Sequence, residues 1–296
     1  MCRTNHLRGH FKSKQMMINT KPYEVIIISI SSDIGTAMAY RWMNRGWCVT
    51  GTYRTKTPSL KNLSDRGIRL LECDLSNSET VKAACNKLRE LCIKWDFIVL
   101  CSGTQEPIGS FETIDFDEWK NSICVNFTNQ LRFVHELLPN RNVNNKLGPC
   151  VIFFAGGGTN NATVNYSAYT VSKIALIKMC ELLDAEIPDT RFTILGPGWV
   201  KTKIHESTMK AGVNAGDNLK RTMDKYSRNE FTPMQDVLDC CDWLIQSPRE
   251  IIGGRNFSVA FDGWGTDALR DKLISEPGMY KLRRYGNNFV IQGGKR

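Results

Sequence analysis

Tyr169 and Lys173 stand four residues apart in the stretch FFAGGGTNNATVNYSAYTVSK, residues 153–173. On a helix that spacing puts a phenol and an ammonium one turn apart on the same face. Such a pair can pass a proton to or from an alcohol oxygen, with the ammonium steadying the charge that the phenol gains or loses. Chemistry of this kind usually recruits a second hydroxyl to hold the substrate oxygen, most naturally from the end of the preceding strand. Here an apolar, strand-like run breaks instead into Ala155 and three glycines at 156–158. The spacing alone is weak evidence, because any helix with a buried Tyr and an exposed Lys meets it by chance. What surrounds the pair must decide.

Those surroundings alternate short β-rich runs with helical patterns. Strands are expected at 25–28, 48–53, 68–73, 97–101, 151–154, 191–195 and 256–261. Helices are expected at 34–45, 80–92, 116–138 (stopped by Pro139), 165–183 and 233–246, with a short polar helix before the third strand. In the 80–92 segment Val81, Ala84, Cys85, Leu88 and Leu91 share one helical face. Strands this apolar must be covered on both sides, which predicts an α/β fold: a doubly wound parallel sheet of about seven strands in a single domain over 22–263. Residues 1–21 read as a basic, disordered extension and 264–296 as a C-terminal tail.

The first turn, in IIIISISSDIGTAMAY, brings Ser29, Ser31, Ser32, Asp33, Ile34 and Gly35 between a strand and a helix. A turn in that position offers backbone N–H groups and a helix N-terminus to a pyrophosphate. Only Gly35 is glycine. Asp33 has two readings, a charge that repels phosphate or a cap for a helix beginning at Ile34, and capping is favoured.

In their order and spacing, these motifs resemble the short-chain dehydrogenase/reductase family across roughly residues 22–263. The family's T-G-x-x-x-G-x-G turn lies over residues 28–35, with Ser29 and Asp33 in place of two glycines. CDL at 73–75 is similar to the adenine-side motif and assigns Asp74, with Leu75, to the adenine ring. LCSGT at 100–104 resembles N-N-A-G and keeps Gly103. Asn126, within CVNF, matches the active-site asparagine, and Tyr169 and Lys173 match the catalytic Y-x-x-x-K. GPGWVKT matches P-G-x-x-x-T and puts Pro197, Gly198, Val200 and Thr202 around a nicotinamide.

The resemblance implies a Rossmann-like fold and hydride transfer between NAD(P) and a ketone/alcohol pair, with Tyr169 as proton donor. A free phenol titrates near 10, so the Lys173 charge and the cofactor's positive ring are expected to bring it toward neutrality. Lys173 would also hold the nicotinamide ribose hydroxyls, and the Asn126 backbone would order a relay water. At the end of the second strand an acid would select NAD; here Tyr53-Arg54 stands, and Arg54 would meet a 2′-phosphate with its fork, favouring NADP over NAD. A solvated strand-end charge is the other reading of Arg54.

The family's serine falls on Gly156 or Ala155, and neither side chain donates a hydrogen bond. Loss of such a donor typically costs about 2.7–4 kcal/mol at the transition state. Thr159, or the backbone N–H groups of Gly156 and Gly157, are the expected substitutes. Restoring a serine at 155 or 156 is expected to raise the rate unless the site has been reshaped around its absence. A catalytically degenerate dinucleotide-binding scaffold or sensor is the rival expectation.

Composition narrows the partners. The 296 residues are 42% hydrophobic and 23% charged, ordinary for a globular protein with a sizeable core. The net charge of +9 sits at the ends, for residues 1–21 hold five Lys/Arg and no acid, and 264–296 hold seven against three. The neutral body between them argues against nucleic acid. No apolar run approaches a membrane span. Eleven scattered cysteines, Cys85 and Cys180 among them, read as core thiols of a cytoplasmic protein, with no metal site. Residues 203–232 carry seven basic side chains against four acidic ones, a hint of an acidic or sugar-like substrate. Phe127, Leu131, Val134, Leu176 and Met179 suggest helix pairing in a homodimer or homotetramer.

Overall fold

The computed structural model describes residues 22–285. The expected extension at 1–21 and the last part of the expected tail, 286–296, lie outside the described residues. Seven strands form one sheet: β1 (Glu24–Ile28), β2 (Cys48–Tyr53), β3 (Arg69–Glu72), β4 (Phe97–Leu100), β5 (Cys150–Phe154), β6 (Arg191–Gly196) and β7 (Asn256–Ser258). Their order is β3-β2-β1-β4-β5-β6-β7, and every neighbouring pair is parallel.

Eleven α-helices accompany them among the described residues. The first five are α1 (Asp33–Met43), α2 (Pro58–Asp65), α3 (Ser78–Leu91), α4 (Phe116–Ile123) and α5 (Asn129–Leu137). Then follow α6 (Ser167–Glu186), α7 (Glu206–Ala211), α8 (Asp217–Arg228), α9 (Met234–Gln246), α10 (Arg249–Ile252) and α11 (Asp267–Ser275). None of the helices is long and apolar enough to cross a membrane.

The run Val25-Ile26-Ile27-Ile28 shows why the strands are continuously apolar. Val25 and Ile27 enter the core on one face of the sheet, Ile26 and Ile28 the core on the other, all at 0% exposure. Each fully buried aliphatic side chain contributes about 1.5–3 kcal/mol, so both layers of helices are held by the same strand.

The chain winds outward from β1 to β3, then returns to lay β4 against the other side of β1. Neighbouring strands whose connections depart in opposite directions open a crevice at their carboxyl ends. The turns after β1, β2, β3, β4, β5 and β6 all reach that crevice, a cleft of roughly 2140 Å³.

Residues beyond Gly263 also pack on the body. Leu269 and Leu273 of α11 are buried in the core, Arg255 donates to Leu273 O, and Asn256 N–H donates to Tyr280 O. A bidentate Arg283–Glu181 pair ties the following strap to α6.

The helix expected at 116–138 is interrupted. Between α4 and α5 the backbone makes one π-helical turn, Cys124–Thr128. Such a turn shifts the helical register locally and leaves carbonyls short of their usual donors. Asn126 lies at its centre.

Candidate active site

Tyr169 and Lys173 lie in the first turns of α6, which begins 13 residues after β5 and packs beside β5 and β6. Both side chains line the cleft, yet they are 9% and 2% exposed. The Lys173 ammonium donates to Phe154 O at 2.9 Å and Ser102 O at 3.3 Å, the carbonyls at the ends of β5 and β4. Two of its three N–H donors are thereby used. Burial lowers its pKa to about 8, with Cys101 acting the other way.

The Tyr169 phenol makes no hydrogen bond within the described residues, so its O–H is free to serve a substrate oxygen. Burial pushes its pKa up to about 12. The expected depression by Lys173 is absent in the protein alone. The ammonium, 5.8 Å from the phenol ring centre, is held back by its two carbonyls.

Asn126 is fixed from both ends of its amide. Its Oδ1 accepts from Thr104 N at 2.8 Å, and its Nδ2 donates to Thr104 O at 2.8 Å and Ser122 Oγ at 3.2 Å. The carbonyls loosened by the π turn are gathered by Gln130, a residue the sequence reading passed over. Gln130 Nε2 donates to Asn126 O (2.8 Å), Ser102 O (3.3 Å) and Val125 O (3.4 Å). Ser102 O therefore accepts from both Gln130 and Lys173, and one lone pair of Asn126 O is already taken. The signal was in the sequence, because Gln130 shares its helical face with the buried Phe133, Val134 and Leu137.

The missing serine is now located more narrowly. Ala155 is buried in the core on one side of the sheet, so only position 156 faces the tyrosine. Thr159 stands exposed on the loop before α6, lining the cleft but with no hydrogen bond to Tyr169. That loop is tied to the segments facing it. Asn165 Nδ2 donates to Asn214 O, Asn218 Nδ2 to Val164 O, and Tyr166 Oη shares a hydrogen bond with Thr208 Oγ1 at 2.8 Å. Thr208 in turn donates to Gln105 Oε1. Helices α7 and α8 thus lie over the end of the cleft that holds Tyr169 and Lys173, next to a stack of Trp199 against His205 at 4.8 Å.

At the other end, the first turn keeps a dinucleotide-type backbone with little glycine. Ser29 itself takes a positive φ of 62°, and its N–H donates to Thr52 Oγ1. Gly35 is required by space, since a Cβ there would lie 2.7 Å from Ser29 O and 2.8 Å from Ser32 Oγ. The cap of α1 is Ser32, whose Oγ accepts from Gly35 N–H, and Asp33 is the first helical residue. Asp33 is therefore not the cap expected from the sequence. Ser32 has the extended backbone a cap needs, and this leaves the Asp33 carboxylate free to turn across the cleft. There it accepts from Lys203 N–H at 2.8 Å and faces the Lys203 ammonium at 3.9 Å.

Whether these residues fit a nicotinamide dinucleotide depends on that middle region. Asp74 and Leu75 after β3, Gly103 after β4, and Pro197, Gly198, Val200 and Thr202 after β6 all border the cleft where the resemblance placed them, with Arg54 exposed after β2. The N–H groups of Asp33 and Ile34 have no intrahelical acceptor and are open to a phosphate. The residues fit the group, provided that the Asp33 carboxylate swings aside.

Comparison with known proteins agrees with this architecture. The family model described as short chain dehydrogenase matches residues 24–212. The human protein named dehydrogenase/reductase SDR family member 2, mitochondrial, is 23% identical over 242 residues, covering 79% of this chain and 84% of its own. A short-chain dehydrogenase/reductase structure from Saccharomyces cerevisiae superposes with a TM-score of 0.70 at 21% identity, covering 84% of this chain and 98% of that one. The actinorhodin polyketide ketoreductase, solved with NADPH, gives 0.68 at 18% identity, covering 80% and 95%. With a seven-stranded parallel sheet and a family match over most of its length, the chain belongs to the short-chain dehydrogenase/reductase family of NAD(P)-dependent oxidoreductases.

Proposed function

We propose that the protein is an NADP-dependent oxidoreductase that interconverts the ketone and alcohol of a small polar substrate, with Tyr169 as proton donor. The observation that carries this reading is the buried phenol with an unshared O–H, one helical turn from a buried ammonium, on the floor of the cleft. The cofactor, bound in its reduced form NADPH, would supply the hydride for reduction. Tyr169 would give its proton to the substrate oxygen, and the Lys173 ammonium would steady the phenolate once the bound cofactor draws it from the Ser102 and Phe154 carbonyls that hold it in the protein alone. With a pKa near 12 the phenol stays protonated at working pH, which suits reduction.

Arg54, exposed at the end of β2, supports the 2′-phosphate form of the cofactor. The cleft walls support a polar substrate. Gln105, Asn165, Asn214 and Asn218 border it, with Lys210 and Arg221 on α7 and α8 suited to an acidic or sugar-like group. A homodimer or homotetramer, in the cytoplasm, belongs to the same proposal. Val134 and Leu176 lie in the core, but Phe127, Leu131 and Met179 are half-buried and Val171 and Leu182 exposed along the same helices. Light scattering at micromolar concentration checks the assembly.

The test is turnover of NADPH with a panel of dihydroxyacetone, erythrulose and 2-oxo acids. Tyr169→Phe removes one oxygen and is expected to lower kcat at least 100-fold while NADPH affinity stays within twofold. Undiminished turnover would sink the assignment. A second reading, a dinucleotide-binding scaffold without turnover, draws support from Asp33 at the phosphate turn. It predicts NADPH binding and no reduction of any ketone on the panel.

A further inference from the structure

Gly156 takes an ordinary backbone conformation, with no positive φ, so the chain path does not require glycine there. Space does. A Cβ added at Gly156 would lie 2.5 Å from Tyr169 Oη, 2.6 Å from Cζ and 2.7 Å from Cε1. All three of these neighbours belong to one rigid ring. The backbone that carries the ring is held at the start of α6 by Tyr166 to Thr208 and by Trp119 Nε1 to Ser167 Oγ, so a side chain at 156 is accommodated by turning the ring itself away from its place. The next residue differs: a Cβ at Gly157 would meet nothing nearer than Thr163 Oγ1 at 3.9 Å.

We propose that Gly156 is a positioning residue for Tyr169. The phenol occupies the volume in which a side chain at 156 would stand, so the site works with one side-chain hydroxyl by construction. A serine at 156 therefore pushes the proton donor out of place and does not supply a helpful second donor. The catalytic half of this proposal rests on Tyr169 being the proton donor, whereas the packing half does not.

Two measurements separate the halves. In the first, thermal midpoints are compared for wild type, Gly156→Ala, Tyr169→Ala and the double variant. Overpacking a filled site is expected to lower the midpoint of Gly156→Ala by about 3–8 °C. In the Tyr169→Ala background the ring is gone, and the same change should cost less than 1 °C. Gly157→Ala should leave the midpoint unchanged. In the second, kcat with NADPH and the best ketone of the panel should fall at least tenfold in both Gly156→Ala and Gly156→Ser, with NADPH affinity within twofold of wild type.

An equal midpoint loss in both backgrounds overturns the proposal. So does Gly156→Ser turning over at or above the wild-type rate while Tyr169→Phe is inactive. Wild-type turnover in Tyr169→Phe instead sinks the proton-donor reading, and leaves the stability cycle to judge the packing alone.

Discussion

The two ends of the cleft are built by opposite means. At the catalytic end, Lys173 and Asn126 are buried and each is held by two or more hydrogen bonds to strand-end or loop backbone. Neither of these two side chains moves without breaking several contacts. At the phosphate end, Asp33 and Lys203 are partly or largely exposed, and a single backbone hydrogen bond with one long ion pair joins them across the opening. An exposed pair of this kind is worth about 0–1 kcal/mol, little enough for an incoming pyrophosphate to displace. On the proposed function, the firmly held first end would set chemistry and the loosely bridged second end would set access. Losses of rate should therefore follow the first, and gains or losses of cofactor affinity the second.

The largest effect that tests this division is the pH dependence of reduction. Lys173 is cationic below about 8 and loses its charge above it, because burial has lowered its pKa from the usual lysine range. Tyr169, near 12, remains a phenol throughout. Reduction at saturating NADPH should be flat below pH 8 and fall by about tenfold per unit above it, as the charge that steadies the departing proton's phenolate disappears. A profile flat to pH 10 would show that the ammonium contributes nothing to the chemical step.

Next in size is the effect of Asp33. Its carboxylate sits at the positive end of α1, where a phosphate is expected, and a negative group there opposes a second one. Asp33→Gly removes the charge and the bridge to Lys203, and should tighten NADPH binding about tenfold, or roughly 1.4 kcal/mol, with kcat nearly unchanged. Fluorescence titration reads it. Weaker binding would mean that Asp33 and Lys203 together help to hold the cofactor, reversing the contrast between the two ends. The same titration with NADH reads the preference assigned to Arg54, and equal affinity for both forms would remove it.

The contrast also explains what the sequence showed and what it hid. Strand-end residues such as Asp74, Gly103 and Pro197 were named through their resemblance to family motifs, and they border one cleft because an all-parallel sheet delivers every strand's carboxyl end to one edge. Tyr169, Lys173 and Asn126 came with those motifs. The bridge from Asp33 to Lys203 joins residues 170 apart and leaves no local pattern. The π turn was hidden for a different reason. Residues 116–138 read as one continuous helix, and the register shift is marked in it only by a buried polar row of Ser122, Asn126 and Gln130 ahead of the apolar Phe133, Val134 and Leu137. Gly156 was visible as an absence, but its cause, an aromatic ring where its side chain would stand, exists only in three dimensions.

The smallest expected effect concerns Thr159, the side chain proposed from sequence to replace the missing donor. It belongs to neither end. The hydroxyl is exposed on the loop at 156–166 and bonds to nothing near Tyr169, whereas the phenol fills the space where a side chain on Gly156 would stand. For Thr159 to hold a substrate oxygen beside Tyr169, the loop would have to fold inward against the ties that join Asn165 to Asn214 and Val164 to Asn218 of the covering segment. Thr159→Val keeps the shape and removes the hydroxyl. It should therefore change kcat less than twofold, leaving the second contact to the backbone N–H groups of Gly156 and Gly157. A loss of tenfold or more, about 1.4 kcal/mol, would assign the hydroxyl the missing role and show that the loop closes on the substrate. The catalytic end would then be only partly rigid, with one of its donors arriving along with the ligand.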